Sequence, residues 1–327
     1  MKATKIISAC AVLVALASCS NEHELSQQSA EDTAIRIQAN VGGITTRAAS
    51  NIQGNQFDKD EYINVYLFEK SGGTGNTTSY GSNGLVVFKT SDASGNMSPS
   101  NPSGSLYYPT SGQPVLAYAF YPALSGDSNY DIKNNATSFT VADDQSTPAA
   151  YKKSDLMFAK QVETAKKDNP ISLTFAHQLT KIKVILQPGD GLTSVSGATI
   201  KMLNVDKTIA LTMPTSDYSK DITLGSTSDP TGTTGIQFGT DDAVNGNAII
   251  IVPQTVTKGT KLFEVSYNGG TYSYTLPNGS SDSDVTFDSK KEYTYTLKLT
   301  SGGLTVTSTK ITPWDPKTGG SGDATLN

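Results

Sequence analysis

Cysteine is almost missing from these 327 residues, which hold only Cys10 and Cys19. Histidine is as scarce, at His23 and His177. A zinc site needs three or four convergent ligands, and neither residue type supplies them. Tryptophan occurs once, at Trp314. Arginine occurs twice, at Arg36 and Arg47, against 23 lysines. Charged residues make up 17% of the chain, below the roughly 25% of an average soluble protein. The net charge is −5, so the basic excess of a nucleic-acid binder is absent. No heptad pattern and no series of long apolar runs is present, which excludes a coiled coil and a multi-span membrane protein. No P-loop and no dinucleotide fingerprint occurs.

What the chain has instead is 29 Gly, 14 Pro and 15 Tyr, with Ser and Thr together at about a quarter of all residues. This mixture suits many short strands joined by tight turns. The apolar residues alternate along those strands, so the chain can close cores rather than remain disordered.

The amino terminus reads as an export signal. Lys2 and Lys5 form a basic start, and Ile6 to Ala17 is an apolar run too short for an ordinary membrane span. It ends in Leu16-Ala17-Ser18-Cys19, which resembles a bacterial lipobox. Small residues before the cysteine let an extended segment enter a peptidase cleft, and the Cys19 thiol is the nucleophile that accepts diacylglycerol. Residues 1–18 are therefore expected to be removed, and Cys19 to become the lipid attachment site. Cys10 is discarded and Cys19 capped, leaving no disulfide. Loss of Lys2 and Lys5 takes the formal charge from −5 to −7. Two or three acyl chains would hold the protein firmly on the outer membrane, where one binds only reversibly. Residues 20–32, with His23, have no apolar period and read as a tether.

Strands follow. Ile35, Ile37, Ala39 and Val41 alternate with Ala34, Arg36, Gln38 and Asn40, as in a half-buried strand ended by Gly42-Gly43. Tyr62–Phe68 and Val115–Tyr121 are apolar on both faces, which suits central strands, and Pro122 stops the second. Leu85–Phe88 and Asp155–Ala159 are shorter pieces. Residues 91–105 read as loop. Lys166-Lys167-Asp168-Asn169-Pro170 is the best turn or boundary in the middle of the chain. Ile171, Leu173, Phe175, His177 and Leu179 alternate, and Ile182, Val184 and Leu186 continue in the opposite phase, which predicts a bulge or bend near Thr180-Lys181. Asn268-Gly269-Gly270 between two alternating runs predicts a hairpin. Tyr293, Tyr295, Leu297 and Leu299 share one face of a late strand, and Leu304 and Val306 begin another. No long helical period appears. The layer rules favour an all-β chain of two tandem β-sandwich domains, expected at 48–168 and 169–327.

Catalytic and metal signals are weak. His177, a lone histidine on a strand face, reads as a hydrogen-bonded structural residue. Asp127-Ser128-Asn129-Tyr130-Asp131 begins like a calcium loop but has Ile132 in place of Gly and Ser138 in place of the bidentate Glu. Asp282, Asp284 and Asp288 could gather a weak cation, though acidic loop residues are usually just solvated. No catalytic residue, cofactor or metal is expected. Arg47 is the feature that stands out. It lies in a small-residue stretch, Thr45-Thr46-Arg47-Ala48-Ala49, of the kind that proteases cut.

Taken in order, several segments resemble one family. They are Leu16-Ala17-Ser18-Cys19, the early strand followed by Thr46-Arg47-Ala48, Phe57-Asp58-Lys59-Asp60-Glu61-Tyr62, Ala117-Tyr118-Ala119-Phe120-Tyr121-Pro122, Asp155-Leu156-Met157-Phe158-Ala159, Leu173 through Ile182, and Ile311-Thr312-Pro313-Trp314. Their order and spacing resemble the fimbrillin-like (Mfa-like) lipoproteins, subunits of protease-assembled type V pili. Phe57 stands where the family often carries Trp.

The resemblance implies two β-sandwich domains of transthyretin-like type. It also implies a route: lipoprotein-processing enzymes act at Cys19, and an arginine-specific protease cuts between Arg47 and Ala48. The propeptide, residues 19–47, leaves with the displaced first strand bearing Ile35, Ile37, Ala39 and Val41. A strand from the C-terminal region of a neighbouring pilus subunit replaces it, with Leu304 to Ile311 the favoured donor. Unpaired strand edges template such addition. The function implied is a non-enzymatic fimbrial subunit serving cell adhesion, with a host or microbial surface as receptor and no nucleic acid as partner. The competing expectations are a monomeric surface glycan-binding lipoprotein and a pilus anchor subunit.

Overall fold

A computed structural model describes residues 34–42, 57–70, 76–79, 85–92, 95–100, 106–109, 111–123, 136–165, 169–214, 219–239 and 247–314. The chain is all-β apart from one short helix among these residues. In order the elements are β1 (Ile37–Val41), β2 (Tyr62–Lys70), β3 (Asn76–Ser79), β4 (Leu85–Thr90), β5 (Asn96–Pro99), β6 (Val115–Tyr121), β7 (Ala136–Thr140), helix α1 (Pro148–Lys153), β8 (Met157–Thr164) and β9 (Ile171–His177). Then come β10 (Thr180–Pro188), β11 (Thr199–Met202), β12 (Asp206–Thr212), β13 (Thr223–Pro230), β14 (Ile236–Gln237), β15 (Asn247–Ile251) and β16 (Gln254–Val256). The last are β17 (Lys261–Tyr267), β18 (Gly270–Thr275), β19 (Val285–Phe287), β20 (Lys291–Thr300) and β21 (Gly303–Pro313).

The first sheet has the order β3-β2-β4-β5-β1-β9-β8-β6, and β6 also pairs with β2. That extra pairing joins the sheet back on itself. The enclosed core contains Ile35, Ile37, Ala39, Val41, Ile63, Val65, Leu67, Phe88, Leu173 and Phe175. The remaining strands form four smaller sheets, β15-β10-β20-β21, β14-β11-β17-β18, β13-β12-β7 and β16-β19. Their core is a second cluster built on Ile182, Val184, Ile249, Ile251, Phe263, Tyr293, Tyr295 and Leu297.

The doubly apolar runs have a direct cause. All seven residues of β6 are buried. Val115, Ala117, Ala119 and Tyr121 face the first core, and Tyr118 and Phe120 belong to the second. β2 divides likewise, with Ile63, Val65 and Leu67 inside and Tyr66 outside. Tyr66 and Tyr118 stack across the two strands at 5.0 Å. A strand covered on both faces needs apolar side chains at both phases. α1 is six residues long, with Pro148 at its start and the Thr147 hydroxyl accepting from Ala150 N.

Some expectations meet a different structure. Residues 91–105 contain β5, whose Asn-Met-Ser-Pro sequence has little strand propensity. It is held by pairing with β1 on one edge and β4 on the other, and Met97 is buried. The phase change after His177 is the bend and not the bulge. There the chain leaves the first sheet at β9 and starts another at β10. Ile171–His177 lies beyond the expected boundary at 168, yet pairs with β1 and β8 in the first sheet. β7 lies before that boundary and pairs with β12 of a later sheet. The hairpin at 268–270 is present, with Asn268 and Gly269 both at positive φ, as a type I′ turn requires.

Candidate functional site

β1 is an interior strand. It runs parallel to β9 over its whole length, from Ile37 opposite Ile171 to Val41 opposite Phe175. On its other edge it runs antiparallel to β5, with Ile37 opposite Met97. Backbone bonds extend the seat at both ends. Ile35 N donates to Leu106 O at 2.6 Å, Ala39 N to Gly95 O at 2.9 Å, and Gly42 N to Phe175 O at 2.6 Å. Ile171 N donates back to Arg36 O at 2.8 Å. Ile35, Ile37, Ala39 and Val41 are all buried, whereas Arg36 is exposed. The predicted alternation and the observed faces agree residue for residue.

Phe57 lies at one end of this core. It is fully buried and meets Phe175 edge-on at 5.1 Å and Tyr121 at 5.2 Å. The turn after it is tied down by polar contacts. Thr90 Oγ1 donates to Asp58 O at 2.5 Å and accepts from Glu61 N at 2.8 Å. Tyr121 donates its hydroxyl proton to Glu61 at 2.9 Å. Lys152 of α1 reaches Asp58 and Glu61. Burial pulls the Lys152 ammonium down, but its two carboxylate partners outweigh this and raise its pKa. Asp60 is held below the ordinary carboxylate range by its hydrogen bond to Lys89.

His177 closes β9. Its Nδ1 lies 2.8 Å from Asp155 Oδ1, and both side chains are buried. Trp314 lies flat on the imidazole, with centroids 4.0 Å apart and planes within 3°. Trp314 packs against the second core and also stacks on His177 at the end of the first sheet, a pairing of distant residues that no local pattern encodes.

The acidic residues 282, 284 and 288 serve loop geometry. Asp282 accepts from Gly279 N, Asp284 accepts from Lys258 N at 2.9 Å, and Asp288 N donates to the Tyr293 hydroxyl at 2.9 Å. Among the described residues, no group of three or more His, Cys, Asp or Glu side chains is placed to hold a metal ion. A shallow groove of about 310 Å³ lies on the outer face of β8 and β9, lined by Phe158, Lys160, Gln161, Ser172, Thr174 and Asp221 among others. Cys19, Arg47, Ala48 and the calcium-loop-like stretch lie outside the described residues. Among the described residues no helix is long and apolar enough to cross a membrane.

Comparison with known proteins follows the same line. The sequence matches the fimbrillin-like family over residues 46–314, most of its length. The chain belongs to the fimbrillin-like family. Its fold is similar to that of a candidate cell adhesion protein from Bacteroides uniformis ATCC 8492, with TM-score 0.58 and 19% identity over 86% of this chain and 98% of that one. It is similar also to a candidate cell adhesion protein from Bacteroides ovatus ATCC 8483, with TM-score 0.61 and 17% identity over 87% and 98% of the two chains. No curated protein matches the sequence.

Proposed function

We propose that this protein is a fimbrial subunit that reaches the outer membrane as a lipoprotein through Cys19. In this reading β1 fills a seat that a neighbouring subunit later occupies. Cleavage between Arg47 and Ala48 makes β1 a separate chain, and a donor strand from another copy takes its place. The observation that supports this is the position of β1. A strand near the N-terminal end of the chain sits between β5 and β9 and, with Ile35 just before it, supplies four buried side chains. Its loss leaves two unpaired edges and an open apolar slot. Burying the larger of those side chains contributes about 1.5–3 kcal/mol each, so an empty slot strongly favours a replacement strand.

The donor is β21 with the residues around it. Among the described residues it is an edge strand paired only with β20, and Leu304 is its one buried residue. The surface so assembled serves adhesion, and no enzymatic step is assigned to it. A second reading, glycan binding by a monomer, has the polar-rimmed groove over β8 and β9 in its favour.

The test uses residues 20–327 made without lipid and treated with an arginine-specific protease. Intact mass then separates a cut at Arg47 from one at Arg36, which the β1 ladder protects. A cut at Arg47 followed by heat-sensitive ladders on unboiled gels supports a polymerising subunit. A protein that is cut and stays monomeric overturns it in favour of the glycan-binding or anchor reading.

A further inference from the structure

We propose that the Asp155–His177–Trp314 stack is a latch joining the C-terminal strand to the seat of β1, so that loosening either one loosens the other. The proposal rests on the reading that β1 and β21 are the strands that move in assembly.

The geometry runs through β9. The last backbone bond of the β1 seat goes from Gly42 N to Phe175 O. His177 is two residues further along β9, on the same face as Ile171, Leu173 and Phe175. It is opposite Met157 of β8, and Asp155 lies just before that strand. The buried Asp155 carboxylate orients the ring through Nδ1, which presents a flat face to Trp314. Trp314 directly follows the last paired residue of β21, Pro313 opposite Lys291. Backbone bonds bind the same corner. Trp314 N donates to Lys290 O at 2.8 Å, and Lys290 N donates to Leu179 O at 2.7 Å. The end of the C-terminal strand is thus fastened to the residues that close β9.

The rest of β21 is held mainly by its ten-pair ladder with β20. Its side chains are mostly exposed or half-exposed, and one strand partner supplies its ladder. The stacked indole adds a side-chain contact at the far end of that ladder from the buried Leu304. β9 has two ladder partners while β1 is present, and one when it is gone. An edge strand opens more readily than an interior one. β1 pairs residues 171–175 and β8 pairs residues 175–177, so loss of β1 frees the first part of β9 and reaches the His177 ring through Phe175, where the two ladders meet. The coupling is reciprocal by linkage, so release of Trp314 weakens the seating of β1.

The experiment reads the uncut protein, residues 20–327, by hydrogen exchange and by fluorescence. Trp314 is the sole tryptophan, so the emission reports this stack alone. Trp314→Ala is expected to speed exchange by about tenfold in both 303–313 and 37–41, while the β17–β18 hairpin keeps its wild-type rate. Trp314→Phe, which keeps a stacking ring, should restore most of the protection. Ile37→Ala, which loosens β1 from the far side, should shift the Trp314 emission to the red. Should Trp314→Ala affect 303–313 alone while Ile37→Ala leaves the emission unchanged, the stack is only packing and the latch is refuted. If Trp314→Ala does not fold, the Ile37→Ala emission decides by itself. Absence of polymer after cleavage would count against the assembly reading and leave the coupling in the uncut protein standing.

Discussion

Gly95 sits against the backbone of Ala39 so closely that a Cβ at position 95 would lie 2.2 Å from the Ala39 carbonyl oxygen. The same glycine has φ +80°, and its own carbonyl accepts the Ala39 N–H. Two independent constraints, a left-handed backbone and a contact with no room for a methyl group, thus hold the residue that locks the middle of β1. Gly95→Ala is expected to destabilise the protein by about 2 kcal/mol or more. Urea denaturation measures the loss. Hydrogen exchange should place it at 37–41.

The two faces of β1 should respond very differently. Ile37 is 1% exposed in the first core, and its truncation to Ala is expected to cost about 2–5 kcal/mol. Arg36, one residue away, is exposed, and Arg36→Ala should change stability by less than about 0.5 kcal/mol. Equal losses at both positions would contradict the alternation seen here.

Gln145 completes the open edge of β15. Its side-chain amide donates to Ile250 O and accepts from Ile250 N, each at 2.8 Å, standing in for a neighbouring strand. Gln145 is 2% exposed. Gln145→Leu leaves both backbone groups buried without these partners and is expected to cost about 2–4 kcal/mol. Thermal melts of the variant against wild type test it.

Alkaline pH should weaken the fold through its buried tyrosines. Burial is the main cause that pushes the Tyr295 hydroxyl well above its ordinary pKa, with Tyr274 and Tyr293 adding to it. A raised folded-state value means that this contribution is whole below the unfolded pKa of about 10. It is lost as pH rises toward the folded value, at up to about 1.4 kcal/mol per pH unit for one group. Tyr295→Phe should flatten the decline above pH 10. It should cost little at neutral pH, since the Tyr295 hydroxyl has no hydrogen-bond partner among the described residues. Denaturation midpoints from pH 8 to 11 provide the comparison.

The hairpin between β17 and β18 gives a local control. Gly269 has φ +77° with open space around its missing Cβ. Gly269→Ala therefore meets backbone strain alone and is expected to cost about 1 kcal/mol. Its effect on hydrogen exchange should remain within 261–275.

Much of this architecture can be read along the chain. Alternation at Ile35, Ile37, Ala39 and Val41 marks a strand with one buried face, and those residues are buried. Continuous apolar runs at 62–68 and 115–121 mark strands covered on both faces, and both lie between two cores. Asn268-Gly269 marks a type I′ turn because few other residue pairs accept two positive φ values. Such signals need only near neighbours, so sequence by itself determined them, along with the all-β class and the family segments.

What tertiary structure alone decided is which strand lies beside which. Nothing in Asn96-Met97-Ser98-Pro99 announces a strand; two partners, one of them β1, make it one. Nothing near Ile171 assigns it to the sheet of Ile37, since the parallel pairing joins residues far apart in the chain. His177 and Trp314 are 4.0 Å apart at ring centre although most of the second half of the chain lies between them. Side-chain period is a property of one strand, whereas pairing and stacking are properties of two, and only the folded chain brings the second to the first.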